Sequence, residues 1–190
     1  MKTQLIEDQS FHNIDFTVTA PTAKEFEYCQ FTHCHFAGVD LSNFRFVECT
    51  FEDCDFSNAK LMMTTLNDAR FSNCKLLGLH FENCNDFLFT VSFENSTLNF
   101  SSFYGRTLKK TTFKNCSVQE VDFTDADLSG SSFDNCHLTK AVFDNTNLEK
   151  ADFRTAIDYA IDPERNRIKK ARFNRLGLSG LLGKYDLLID

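Results

Sequence analysis

The sequence has no tryptophan and only 2 prolines among 190 residues. It has no apolar run that approaches the length needed to cross a bilayer. Its first residues, MKTQLIEDQS, reach Glu7 and Asp8 before an apolar stretch of signal-peptide length can form. A cytoplasmic chain is therefore expected. Positive charge is scarce too: 20 Lys and Arg stand against 27 Asp and Glu, a net charge of −7. This excess argues against a general nucleic-acid-binding surface and favours an acidic face that meets a basic partner. Neither G-x-x-x-x-G-K-[ST] nor G-x-G-x-x-G occurs, so no nucleotide cofactor is expected. With 42% hydrophobic residues the chain is long enough for one domain with a continuous core.

Phenylalanine is abundant, 22 residues against 4 tyrosines, and it is placed periodically. Phe or Leu fills every fifth position from Phe26 to Phe81, by way of Phe31, Phe36, Leu41, Phe46, Phe51, Phe56, Leu61, Leu66, Phe71 and Leu76. Phe11 and Phe16 share the phase, with Pro21 at the next place. The phase then slips by two residues within ENCNDF, residues 82–87. A second run starts at Leu88 and Phe93 and continues to Phe153 with Val118 as its only other residue type. Ile168 and Phe173 return to that phase after an interruption at 154–167. A two-residue addition to a repeat is expected to form a bulge or small loop on one face. Period five is neither the 3.6 of a helix nor the 2 of a strand. A short extended segment followed by a turn, repeated, would return every fifth side chain to one interior, as in a solenoid.

The pattern A(D/N)LXX, present as Ala126-Asp127-Leu128 and in variant form as Ala59-Lys60-Leu61 and Ala151-Asp152-Phe153, resembles the pentapeptide-repeat family over residues 11–153 and 168–173. The resemblance implies an all-β fold, a right-handed quadrilateral β-helix with four pentapeptides per coil and the central Phe or Leu stacked inside. It also implies that the residue two before each centre is small and points inward. All eight cysteines, Cys29, Cys34, Cys49, Cys54, Cys74, Cys84, Cys116 and Cys136, occupy that slot, Cys84 in the first phase. Structural disulfides are not expected in a reducing cytosol, and free cysteine packs as a small buried hydrophobe. Ala69, Ser101, Thr111 and Val121 hold the slot elsewhere. Phe44 and Arg106 are too large for it. Bulging is expected where Arg106 follows Tyr104 and Gly105, which with Asn85 and Asp86 are the candidate surface bulge.

The segment CQFTHCHF, residues 29–36, gathers Cys29, His33, Cys34 and His35, but it lacks the paired spacings that let zinc ligands converge. The register also sends Cys34 inward and both histidines outward. His12, His80 and His137 lie outward and far apart, so no nucleophile–base constellation is visible. Paired carboxylates need a cleft, which a solenoid filled with Phe does not offer. No catalytic residue and no metal site are expected, and the chain reads as a non-enzyme.

Surface charge is uneven. Residues 1–153 carry 22 Asp or Glu and 12 Lys or Arg, whereas 154–190 carry 5 and 8. The Qnr-type members of the family are dimeric rods that resemble DNA and bind type II topoisomerases. The resemblance thus implies a DNA mimic toward DNA gyrase or topoisomerase IV, with a role in quinolone resistance. The candidate partner-binding acids are Asp122, Asp125 and Asp127 near the presumed dimer centre, with Glu52, Asp53 and Asp55 further out. The alternative is a structural scaffold for protein–protein interaction with no topoisomerase affinity. Neither reading involves direct contact with nucleic acid or membrane.

The domain organisation expected is a β-helix over 1–153, with its phase slip at 82–87, followed by 154–190 as a final repeat, a capping helix and a dimerisation tail. Asp162-Pro163-Glu164 has the form of a turn or helix start. Leu176, Leu178, Leu181 and Leu182 then fall at near-helical spacing. A solenoid must cover its terminal core, and Leu178, Leu181, Leu182, Tyr185, Leu187 and Ile189 are the candidate cap and homodimer contacts. The basic run from Arg165 to Arg175 is a candidate partner for the acidic shaft.

Overall fold

The computed structural model describes residues 4–19, 21 and 23–188. Each centre with its two outward neighbours makes a short extended segment, and the next two residues turn the chain through a corner. Four such segments close one coil of a right-handed quadrilateral β-helix, whose sides are numbered one to four in chain order. Side one begins as a four-stranded parallel sheet of Leu5–Glu7, Glu25–Glu27, Arg45–Val47 and Thr65–Asn67. Side two is a nine-stranded parallel sheet that runs the length of the molecule, from Ser10–His12 to Arg172–Phe173. Sides three and four are held by single bridges, for example His35–Asp55–Lys75 and Ser102–Asp122–Val142.

The register is 20 residues per coil from Ser10↔Gln30 to Thr50↔Arg70, becomes 22 at Ala69↔Val91, and returns to 20 at Thr112↔Ser132. Nine rungs on side two make eight steps of about 4.8 Å, a shaft about 38 Å long.

The corners explain the fifth-residue polarity of the sequence. They hold a left-handed backbone, φ between 49 and 64° at the non-glycine positions, and Asn and Asp dominate with no β-branched residue among them. That conformation costs an L-residue roughly 1–2 kcal/mol. It is offset because most corner N–H groups donate to a carbonyl one coil on, as His33 does to Glu52 at 2.9 Å and Asp53 to Ser72 at 3.0 Å, while Asp68 and Asn135 donate to the hydroxyls of Thr90 and Thr155.

Inside, phenylalanines of successive coils stack face to face. Phe113 and Phe133 lie 4.8 Å apart with planes 2° from parallel, while phenylalanines on adjacent sides meet edge-on, as do Phe31 and Phe36 at 67°. Both geometries suit the ring quadrupole. All eight cysteines are free and buried. The Cys49 thiol donates to the carbonyls of Phe26 and Val47, and burial pushes it up to about 12.

The C-terminal cap is not an α-helix. It consists of two 3₁₀ turns, Leu178–Leu181 and Gly183–Tyr185. Gly177, Gly180 and Gly183 weaken helix propensity here. The chain also passes so close to Tyr159 that a Cβ at Gly180 would lie 2.2 Å from its carbonyl oxygen. Ile161 N–H donates to the Gly180 carbonyl at 2.9 Å, and Leu181 packs on the end of the core. No helix among the described residues is long and apolar enough to cross a membrane.

Candidate interaction surfaces

The six candidate acids fall into two groups on diagonally opposite edges of the square rod. Glu52 is on side two, Asp53 at the next corner and Asp55 on side three; Asp122 is on side four, Asp125 at the next corner and Asp127 on side one. The structure does not bring the two groups together on one face.

Half of them also serve the backbone. Asp55, Asp122 and Asp127 each accept a hydrogen bond from the N–H two residues on, Ser57 at 2.9 Å, Thr124 at 2.8 Å and Ser129 at 3.0 Å. These are Asx turns that fix the corner. Against partial burial, which raises it, Asp127 is held below the usual carboxylate value by Ser129 and Lys109, whose Nζ is 3.4 Å away. Asp53 sits 3.6 Å from His33, and Asp125 accepts from Asn145 at 2.6 Å. Glu52 projects into solvent. The signal that separates the acids that cap corners from those that face outward is register: Asp55, Asp122 and Asp127 each stand directly before an inward Phe or Leu, as does Asp152, which accepts from the Arg154 N–H.

The candidate bulge is built differently from its expectation. The old register holds through Asn85, whose N–H donates to Thr64, and the new one is in place by Thr90, which donates to Leu66. The extra residues therefore lie in 86–89, straddling the end of 82–87. Leu88, expected in the interior, is 57% exposed and takes a corner conformation, φ 56°. Its place inside goes to Phe89 and to Arg106. Arg106 is not a surface residue but is only 4% exposed, and its backbone follows the regular ladder, as does that of Phe44. The guanidinium lies 4.1 Å over the Phe89 ring. It donates to the carbonyls of Cys84 and Asn85 at 3.1 Å and pairs with Asp86. Carbonyls freed by the irregular loop thus find donors from a slot that elsewhere mostly holds a small side chain. Tyr104 and Gly105 form an ordinary corner beside it. Phe87 and Leu88 are left exposed on the rim.

At the other end, Leu181 and Leu182 are half-buried, whereas Leu178, Tyr185 and Leu187 are exposed together with Leu176 and Leu188. Ile189 lies outside the described residues. Lys184 bridges Asp162 at 2.9 Å and Glu164 at 2.6 Å, and Tyr185 donates to Glu164, which ties the tail to the last coil. In the basic run, Arg165 pairs with Asp144 and Arg172 with Asp152.

A family model described as "Pentapeptide repeat region" matches residues 24–103 and 86–181, and the chain belongs to the pentapeptide-repeat family. Among solved structures it is similar to a trypsin-treated variant of QnrB1, a plasmid-mediated fluoroquinolone resistance protein, with a TM-score of 0.56 and 15% identity over 99% of both chains. It is also similar to HetL, a pentapeptide-repeat protein involved in heterocyst differentiation regulation from Nostoc sp. strain PCC 7120. That match has a TM-score of 0.42 and 17% identity over 88% of this chain and 86% of HetL. The likeness to QnrB1 at this identity shows a shared fold and nothing about partners. No curated protein sequence matches the chain.

Proposed function

We propose that this protein is a non-enzymatic, cytoplasmic binding rod whose acidic shaft occupies a basic groove on a protein partner. The groove is the DNA gate of a type II topoisomerase, DNA gyrase or topoisomerase IV, so that the rod acts as a DNA mimic. The observation that carries this reading is the unbroken parallel ladder, Ser10 to Phe173 on side two, which fixes the shape of a shaft with ten more acids than bases over residues 1–153. Outward carboxylates are held on a rigid rod at steps of about 4.8 Å. The mechanism is occupation: the rod fills the groove and its charges meet basic side chains, with no bond made or broken. The resistance role named for QnrB1 supports this choice of partner, and the exposed Leu176, Leu187 and Leu188 suit a homodimer through the tail.

The test reverses the acids that do not cap corners, Glu52→Lys, Asp53→Lys and Asp125→Lys together, and measures binding to immobilised gyrase. Affinity is expected to fall at least tenfold and to weaken further with salt. Unchanged affinity would refute the mapping. The placement of the acids on opposite edges favours a second reading, a scaffold that uses separate faces for other proteins. Salt-insensitive binding to a non-topoisomerase partner would select it.

A further inference from the structure

Side one and the corner that follows it carry opposite charges on the two halves of the rod. The corner column is interrupted at its middle by the seam loop, where the register sets Thr90 between Asp68 and Lys110 and Leu88 stands two residues before it. Toward the N-terminus its residues are Asp68, Glu48, Tyr28 and Asp8, one to four rungs away; toward the C-terminus they are Lys110, Gly130, Lys150 and Lys170 at the same steps. These eight and Leu88 share the left-handed corner conformation, and the 20-residue register stacks the four on each side of the loop in line. The neighbouring column begins with Glu7 and Glu27 and includes Lys109 and Lys169 toward its other end, with Phe87 exposed in the loop between the halves. Asp127 and Glu149 are the acids within the basic half, and Arg45 is the base within the acidic half. Arg45 is engaged by Glu27, and Asp127 by Lys109. The centre is apolar and exposed, Phe87 at 72% and Leu88 at 57%.

A line whose charge changes sign about its midpoint is self-complementary under a two-fold rotation. We propose that this edge binds a second copy of the chain side by side and antiparallel, with the axis at the seam midway between Asp68 and Lys110, beside the loop that carries Phe87 and Leu88. In that arrangement Asp68 faces Lys110 of the second copy, Asp8 faces its Lys170, and the Tyr28 ring meets its Lys150 as a cation–π pair. Phe87 and Leu88 of both copies pack together at the axis. Each contact occurs twice, as in an isologous interface, and the apolar pair that the loop leaves in water is covered. This surface is independent of the C-terminal tail and of the topoisomerase reading.

The test uses the full chain and two charge-reversed forms. One carries Asp8→Lys, Glu48→Lys and Asp68→Lys; the other carries Lys110→Glu, Lys150→Glu and Lys170→Glu. Each substitution places at a corner a residue type that other corners already hold, so both forms are expected to fold. In sedimentation velocity the parent is expected to form a lateral pair that weakens at least tenfold between about 50 and 500 mM salt. Each reversed form alone loses that pair, and an equimolar mixture of the two restores it. In addition, Leu88→Cys is expected to form an intermolecular disulfide under mild oxidant, since the eight native thiols are buried. An association state that ignores salt and both reversals, or Leu88→Cys chains that never crosslink, would overturn the proposal. A dimer that persists under those conditions would place the contact at the tail.

Discussion

The regular coils and the seam at residues 84–90 are made from the same chain by different means. In the coils one contact is repeated: a phenylalanine stacks on another 20 residues away, an inward slot holds something small, and the corner closes on the next coil. The nine-rung ladder on side two continues past the seam with only a modest widening, Phe71 to Phe93 at 5.5 Å against 4.8 Å for Phe113 to Phe133. At the seam nothing is repeated. One buried arginine, one displaced phenylalanine and one surface aspartate hold a loop that has no counterpart elsewhere. Redundancy protects the coils from small errors at any one slot, whereas the seam rests on contacts that converge on Arg106.

The comparison sharpens first at the ring stack. Phe113 is fully buried between Phe93 and Phe133, and Phe113→Ala is expected to cost about 4 kcal/mol, measured by denaturant unfolding. Next comes Arg106→Met, which keeps bulk but strips the donors from the Cys84 and Asn85 carbonyls. A loss of about 3 kcal/mol is expected, with raised hydrogen exchange confined to residues 84–90. Arg106→Lys should not rescue it, because an ammonium cannot fork between the two carbonyls. Equal exchange throughout the rod would contradict the claim that the seam is a local device.

A smaller effect separates two kinds of acid. Asp127→Ala removes a turn-capping bond and is expected to cost about 1 kcal/mol, while Glu52→Ala should change stability by less than about 0.5 kcal/mol.

The smallest effect is at the tail. The Glu164 N–H and Lys184 hold Asp162 below its ordinary 3.8, and Lys184 and Tyr185 hold Glu164 below its ordinary 4.5. Depressed carboxylates contribute stability above their ordinary values and lose it as pH falls through the depressed ones. The 3₁₀ cap is therefore expected to loosen below about pH 4, seen as exchange at Gly180 and Leu181 before the shaft responds. A cap that loosens with rising pH instead would refute the ion-pair tether.

The repeating part of this architecture was legible because period five admits one geometry. Every cysteine slot was read from its place in the five-residue phase, and all eight are buried. What escaped was whatever depends on a neighbour in the next coil. Leu88 continued the apolar series in sequence, yet Phe89 beside it reaches the interior and Leu88 turns a corner. Arg106 looked too large for its slot because the slot's size is set by the coil below, where the loop opens. Leucines at near-helical spacing suggested a helix in the tail, but the glycines between them let the chain fold tightly over Tyr159. Among the acids, charge was visible in composition, whereas duty follows from the place in the repeat: the capping Asp stands directly before an inward Phe or Leu.

The central claim, a rod that binds a topoisomerase as DNA would, is tested most directly by titrating the purified protein into a DNA gyrase supercoiling assay with and without a quinolone. The account predicts recovery of supercoiling in the presence of the drug, or inhibition of gyrase at higher protein concentration. Supercoiling by gyrase that is indifferent to the protein in both conditions, with decatenation by topoisomerase IV equally unaffected, would contradict it.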